Sequence, residues 1–213
     1  MPALRTTVVL VASAAALLVA AGAGAAQAAP KVPDSWNWTQ QGKVTPVRDQ
    51  GQCEDSLGFA AAAAVESAVA IKRKTTPPDY GYIPTEGYSD SSECAEFRTK
   101  WPAPRAGTVS GWTGVDTDEE AIKTAVVKHG PVRVRMSGND LPTYTSGIFR
   151  CATVQLDTAM VVVGYGTEGG KNYWIAKNSF GPDWGEHGYI KVTRDPAGDC
   201  GISKQADYPI VSD

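Results

Sequence analysis

The chain has 213 residues, of which 42% are hydrophobic and 20% are charged, and its formal net charge is −3. This length suffices for one ordinary globular domain or for two small lobes that share a core. The mildly acidic balance argues against nucleic acid and against an anionic membrane as partners.

The first 28 residues have the pattern of a secretory signal peptide. One cation, Arg5, precedes an apolar run from Val8 to about Ala20, and small residues follow up to Ala26-Gln27-Ala28. This order is typical of a signal with an A-x-A cleavage site. We therefore expect residues 1–28 to be removed and residues 29–213 to form a secreted domain, with 19 basic and 23 acidic residues.

The cysteines predict disulfide bonds rather than a metal site. An exported chain with an even number of cysteines usually pairs them. Three pairings are possible, and none of the spacings is a C-x-x-C metal pattern, so we expect no metal and no cofactor. The four cysteines are Cys53, Cys94, Cys151 and Cys200.

The first half of the mature chain favours helix and loop. An alanine run predicts a helix roughly from Ser56 to Lys74, with Asp55 or Ser56 as its cap and Pro77-Pro78 as its stop signal. Residues Asp79 to Gly111 show no sustained periodicity and are predicted to be loop.

The second half favours strands. A helix starts with the capping pattern of Thr117 to Ile122 and ends before Gly130-Pro131. Four later segments are alternating or β-branched: Val132 to Met136, Ala159 to Tyr165, Asn172 to Ala176, and Gly188 to Val192. A helix-rich half followed by a strand-rich half predicts an α+β fold with an antiparallel sheet or barrel.

Three blocks of sequence carry recognisable motifs: Gln50 to Phe59, Leu156 to Gly166, and Tyr173 to Tyr189. Together they resemble the papain-like cysteine peptidases, in which a Gln precedes C-G-S-C-W and a D-H-A motif precedes K-N-S-W-G-x-x-W-G-x-x-G-Y. The resemblance covers nearly all of the mature chain. It implies a two-lobe papain-like fold, with a helical N-terminal lobe and an antiparallel, β-barrel-like C-terminal lobe.

The resemblance assigns positions but not all of the chemistry. Gln50 matches the oxyanion-hole amide, Asn178 the amide that orients the base, and Trp184 the indole that shields this pair. Ser56 stands at the position of the cysteine nucleophile, and Thr158 stands at that of the histidine base. A serine needs a base to remove its proton, and a threonine hydroxyl has no basic form near neutral pH.

Other polar residues offer no replacement. Glu54 and Asp55 occupy positions where the family has small neutral residues, and we expect them to disfavour a developing oxyanion. We expect His129 to act as a cation at a helix C-terminus, and His187 to lie in a tight turn. In a structural interpretation, the retained amides persist because they form hydrogen bonds between the lobes.

The spacing indicates a deletion in the helical lobe. Ser56 lies 102 residues before Thr158 and 122 before Asn178, whereas about 130–150 residues separate these positions in papain-like enzymes. The family's L-S-E-Q-x-L-x-D-C and G-C-x-G-G segments are missing after Lys74. We therefore expect this lobe to be shortened.

The deletion also bears on the disulfides. By resemblance Cys151 pairs with Cys200, whereas Cys53 and Cys94 have lost their usual partners on the missing segment. We expect these two orphaned cysteines to pair with each other.

Our leading hypothesis is a secreted papain-like pseudoprotease without a pro-segment, which serves as a binding or scaffold protein. Its expected partner is a peptide or protein ligand, or a cysteine-protease inhibitor. A second hypothesis is a weak serine-substituted hydrolase of peptides that uses Ser56. A third is a purely structural or decoy protein.

Overall fold

The computed structural model describes residues 32–83, 92–100, 104–105 and 108–212. The predicted signal peptide, residues 1–28, lies outside these ranges. Within them, no helix combines the length and the apolar character needed to cross a membrane.

In the described ranges all three α-helices precede six of the eight strands, which is an α+β order. The α-helices are α1 (Ser56–Lys72), α2 (Ala95–Lys100) and α3 (Glu119–His129), and short 3-10 helices span Ser92–Cys94 and Leu141–Thr143. The strands are β1 (Trp36–Asn37), β2 (Val109–Gly114), β3 (Val132–Met136), β4 (Ile148–Phe149), β5 (Thr158–Glu168), β6 (Lys171–Lys177), β7 (Tyr189–Thr193) and β8 (Ala206–Val211).

Helix α1 is buried along most of its length. Fourteen of its 17 residues are buried, including the whole alanine run. Asp55 caps the helix, because its side chain accepts a hydrogen bond of 2.9 Å from the Gly58 amide. A side chain at Gly58 would start 2.5 Å from the Ile83 carbonyl oxygen, so the chain can pass this close to the helix at a glycine alone. The helix ends at Lys72, two residues before the predicted end.

The strands form one sheet in the order β2-β8-β3-β5-β6-β7-β4, and β1 pairs with β5. All pairs are antiparallel except β4 with β7. Strand β5 separates two cores: Ala159, Val161 and Val163 pack with the alanines of α1, whereas Met160 and Val162 belong to the larger core that includes α3. The sheet thus holds α1 on one side and α3 on the other.

The fold class and the main elements agree with the sequence predictions, and β3 has the predicted bounds. The prediction of loop from Asp79 to Gly111 is wrong in part, because α2 and the start of β2 lie there. Helix α2 is only six residues long and buries a single aromatic side chain, Phe97, so it leaves no periodic pattern in the sequence.

Strand β8 has no counterpart among the predicted strands, and it contains Pro209, a residue that is disfavoured in a sheet interior. The structure resolves the conflict through register. Strand β3 pairs with β8 at Ala206 and Asp207, whereas Pro209 pairs with Trp112 of β2. At Pro209 the strand therefore has a neighbour on one side, and the missing amide hydrogen breaks no ladder bond.

Both predicted disulfides are present. The Cα atoms of Cys53 and Cys94 are 4.9 Å apart, and those of Cys151 and Cys200 are 5.0 Å apart. Cys53 and Cys94 are fully buried in a small cluster with the aromatic residues Phe59, Tyr82 and Phe97. The orphaned pair therefore ties the segment before α2 to the start of α1.

Replacing Cys53 and Cys94 with alanine should lower the free energy of unfolding by about 2–4 kcal/mol, because a cross-link constrains the unfolded chain. Chemical denaturation followed by tryptophan fluorescence measures the loss, and peptide mapping without reduction checks the pairing. The variant Cys151→Ala/Cys200→Ala is the matched control, since the sequence separations of the two bonds, 41 and 49, are similar. Free thiols at both Cys53 and Cys94 in the native protein would contradict this pairing.

Candidate functional site: a papain-like cleft with a serine and a threonine

The structure brings the two key positions together. Ser56 is the first residue of α1, and Thr158 is the first residue of β5. The Ser56 hydroxyl oxygen accepts a hydrogen bond of 3.1 Å from the amide of Ala159, the residue that follows Thr158. Both side chains are 9% exposed. The packing of α1 on β5 creates this proximity although 102 residues separate the two positions.

Gln50 is held by the loop that follows β6. Its backbone amide donates to the Ser179 carbonyl at 2.8 Å, and its side-chain Oε1 accepts a hydrogen bond from the Ser179 hydroxyl at 2.5 Å. The side-chain Nε2 has no partner among the described residues and is not among the buried unpaired atoms. The amide is therefore fixed with its nitrogen available as a donor.

Asn178 directly follows β6 and is 4% exposed. Its Oδ1 accepts a hydrogen bond of 2.8 Å from the Ser179 amide, and its backbone amide donates to Gly188 at 3.0 Å. Its Nδ2 is buried and has no hydrogen-bond partner. A buried donor without a partner normally lowers the free energy of unfolding by about 1–3 kcal/mol.

Trp184 is anchored as part of the aromatic core. Its ring nitrogen donates to the Leu141 carbonyl at 2.9 Å. The ring meets Phe180 edge-to-face at 5.6 Å and lies 5.5 Å from Tyr144. These contacts give Trp184 a structural role in the packing beside the core.

The two acids near Ser56 differ in their surroundings. Glu54 is exposed. Asp55 is 1% exposed and, besides capping α1, accepts a hydrogen bond of 3.0 Å from the Tyr82 hydroxyl. Burial, together with this carboxylate, raises the pKa of Tyr82 far above its ordinary value. Asp55 therefore has a structural role at the helix start, which the sequence prediction of an acid beside an oxyanion did not include.

Neither histidine bonds to the Ser56 hydroxyl. In the described ranges the one partner of this hydroxyl is the backbone amide of Ala159. His129 stacks on Tyr208 with ring centroids 4.2 Å apart. Burial lowers its pKa, and the neighbouring Lys128 lowers it further, so the neutral ring is favoured. His129 thus lies in the last turn of α3 as expected, but its lowered pKa disfavours the cationic form that the expected cap requires. His187 is exposed, in the predicted turn.

A buried polar network joins α1 to β6 and was missed by the sequence analysis. Glu66 on α1 accepts hydrogen bonds from the amides of Tyr80 and Gly81 at 2.7 and 2.9 Å, and from the Thr45 hydroxyl. Lys177 on β6 donates to the Thr45 carbonyl and hydroxyl at 2.9 and 3.1 Å. The one acid in the apolar run of α1 was the available signal.

Burial dominates the charges in this network. It raises the pKa of Glu66 and lowers that of Lys177 to about 8, although each group partly stabilises the charged form of the other. A cavity of about 20 Å³ lies beside Lys177 and Asn178. This volume fits about one water molecule.

No group of three or more His, Cys, Asp or Glu side chains that could hold a metal ion occurs in the described part of the chain. The positions that the family resemblance assigns are occupied by two amides, two hydroxyls and an indole: Gln50, Asn178, Ser56, Thr158 and Trp184.

The arrangement matches a known family over nearly the whole described chain. The model of the papain family of cysteine proteases matches residues 32–81 and 76–210. This chain belongs to the papain family. The two matched pieces meet at residues 76–81, close to the point where the sequence places the missing segment.

Relatives and solved structures agree with this assignment. The chain is 33% identical to a cathepsin L-like proteinase of Phaedon cochleariae and 31% identical to procathepsin L of Mus musculus, and each match covers 85% of this chain. It spans 66% of the length of both relatives. The structure of bromelain from Ananas comosus in complex with the E64 inhibitor aligns with a TM-score of 0.71 and 31% identity, over 85% of this chain and 100% of that chain.

The buried lysine predicts a pH dependence of stability. Folded Lys177 loses its proton near pH 8, whereas an unfolded lysine keeps it to about pH 10.5. The unfolded chain thus binds more protons in this window, and stability rises with pH. Between pH 8 and 10 the free energy of unfolding should rise on the order of 2 kcal/mol relative to the variant Glu66→Gln/Lys177→Met.

Denaturant unfolding of both proteins at matched pH values measures this difference. The tyrosine contributions are common to both proteins and cancel. Replacing the exposed Lys171 with methionine is the control and should leave the slope unchanged. Parallel pH profiles for wild type and the double variant would show that Lys177 stays charged in the folded protein.

Proposed function

We propose that this protein is an exported papain-family pseudoprotease, which does not hydrolyse peptide bonds and uses the remaining cleft to bind a peptide or protein ligand. One observation carries the proposal. At the nucleophile position, the Ser56 hydroxyl accepts a hydrogen bond from the backbone amide of Ala159. At the base position stands a threonine, Thr158.

The magnitudes favour the loss of catalysis. A serine attacks only when a base removes its proton, and neither Thr158 nor a backbone amide can accept that proton. In a linked catalytic set, loss of the nucleophile or of the base costs about a million-fold in rate. Any residual hydrolysis would then come from the remaining oxyanion-hole and binding groups and would be far slower than that of an intact catalytic set.

The surroundings support a binding role. Gln50 keeps an oriented, unpaired amide nitrogen, which can donate to a peptide carbonyl. Asn178 keeps the family's orienting position, but its Oδ1 accepts a hydrogen bond from the Ser179 amide and its Nδ2 is buried without a partner. The fold around the cleft persists, whereas the groups that move protons do not.

Export rests on separate evidence. Residues 1–28 have the order of a secretory signal. The two disulfides suit an oxidising compartment. We therefore propose residues 29–213 as the mature domain.

E64, the inhibitor present in the bromelain structure, provides the test of activity. The wild-type protein should form no covalent adduct, because E64 needs an activated thiolate. Intact-mass spectrometry at pH 5 and 7 measures the adduct. The matched positive control is Ser56→Cys/Thr158→His. A stoichiometric wild-type adduct on Ser56, or turnover of a fluorogenic peptide, would support the hydrolase instead.

The same double variant tests how far the scaffold is intact. It should react with E64 but turn over extended peptides slowly, below about 1 per second, because the missing segment forms a wall of the family's substrate cleft. Steady-state kinetics with peptides of increasing length measure this. A typical enzyme rate on long peptides would show that the deletion does not impair the cleft.

Binding is tested separately with a labelled peptide library and with a cystatin-like inhibitor, by fluorescence polarisation. If the cleft is the binding site, binding should be saturable and Gln50→Ala should weaken it about tenfold. This factor corresponds to the loss of one good hydrogen bond. The exposed Gln52→Ala is the matched control. The absence of any saturable binding would favour a purely structural role.

A further inference from the structure

A second cavity lies outside the papain-like cleft, because none of the residues Gln50, Ser56, Thr158 and Asn178 lines it. It has a volume of about 650 Å³ and lies beside β1, the loop after β1, and strands β5 to β7. This volume falls within the range of about 300–1,000 Å³ that is typical of small-molecule sites. Thr158 starts β5 at the cleft, and Gly166 lines this cavity. At about 3.3 Å per residue the two are about 26 Å apart.

A glycine and a tyrosine shape one wall of the cavity. Gly166 pairs directly with Tyr173 on the neighbouring strand. A Cβ at residue 166 would lie 2.8 Å from the Tyr173 hydroxyl oxygen, so the tyrosine side chain occupies the space above the glycine. Because no side chain projects from Gly166, an aromatic ring can lie against the sheet at this point.

The lining offers many unused neutral hydrogen-bonding groups. The hydroxyls of Tyr173 and Tyr189 and the side-chain amides of Gln40 and Gln41 have no partner in the described part of the chain. Burial raises the pKa of Tyr189 to about 12, so its hydroxyl remains a donor. The indole nitrogen of Trp36 is buried and also lacks a hydrogen-bond partner.

The charges on the lining are already paired. Its two charged residues, Glu186 and Lys191, lie 3.5 Å apart, and Lys191 also bonds to Glu168 at 3.0 Å. An ionic ligand would therefore find no free counter-charge. Strands β5 and β6 have neighbours on both sides, and the open edge of β1 is only two residues long, so an extended peptide finds little backbone to pair with here.

We propose that this cavity binds a neutral oligosaccharide of two or three sugar rings. Tyrosine and tryptophan present an apolar face together with a polar group, which matches the apolar ring faces and the hydroxyls of a sugar. Side-chain amides donate and accept at once, as hydroxyl groups require. The proposal does not depend on whether the cleft at Ser56 is catalytic.

The test uses the mature full chain and a panel of neutral trisaccharides: cellotriose, maltotriose and N-acetylated chitotriose. Isothermal titration calorimetry should find at least one with a Kd of about 1 mM or below. Raising the salt from 50 to 500 mM should change this Kd by less than about twofold, because the interaction is not ionic. Trigalacturonate, a charged trisaccharide, should bind more weakly.

Two variants locate the binding. Tyr173→Ala should weaken the best trisaccharide about tenfold or more, and Gln41→Ala, which alters an exposed side chain only, several-fold. The matched control is Tyr208→Ala, which removes a half-buried tyrosine outside this cavity and should leave the Kd unchanged. No binding by any panel member, tighter binding of trigalacturonate, or unchanged binding by Gln41→Ala would overturn the proposal.

Discussion

The close packing of α1 against β5 determines the rest of the structure. Alanine side chains on the helix meet Ala159, Val161 and Val163 of the strand. Small side chains on both surfaces allow the backbones to approach closely, and each larger residue would push the elements apart. The approach brings the start of α1 to the start of β5, so the positions of Ser56 and Thr158 are fixed by packing and not by their own chemistry.

This origin explains how the geometry around Ser56 and Thr158 is maintained with a serine and a threonine at these positions. The groups that define this geometry also have structural partners: Gln50 bonds to Ser179, and Trp184 bonds to Leu141. Hydrogen bonds through Thr45 connect Glu66 on α1 to Lys177 on β6. The exception is the buried Nδ2 of Asn178, which has no hydrogen-bond partner.

The features that sequence predicts best are the ones that short segments encode. The alanine run and its proline stop indicate α1, and the alternation of Val132 to Met136 predicts β3 with its observed bounds. The motifs around Ser56 and Asn178 identify the candidate site. The pairing of Cys53 with Cys94 also follows, because a single deletion leaves two cysteines without partners.

The features that sequence misses depend on residues that are distant along the chain. Pro209 is tolerated in β8 because β3 does not pair with it there, and this register is not visible in the strand itself. The bond between Lys177 and Thr45 spans 132 residues. The cavity beside Tyr173 combines a loop after β1 with strands more than 120 residues later, so no local pattern indicates it.

The separation between α1 and β5 also affects how the protein is made. The alanine surface of α1 lacks its packing partner until β5 has been synthesised, because β5 begins 102 residues after Ser56. At about 5–20 residues per second, this delay lasts about 5–20 s during synthesis. A helix of this length is marginal by itself, so the nascent segment stays largely unfolded in that interval. The native packing of this helix can therefore form only after β5, and with it most of the chain, has been synthesised.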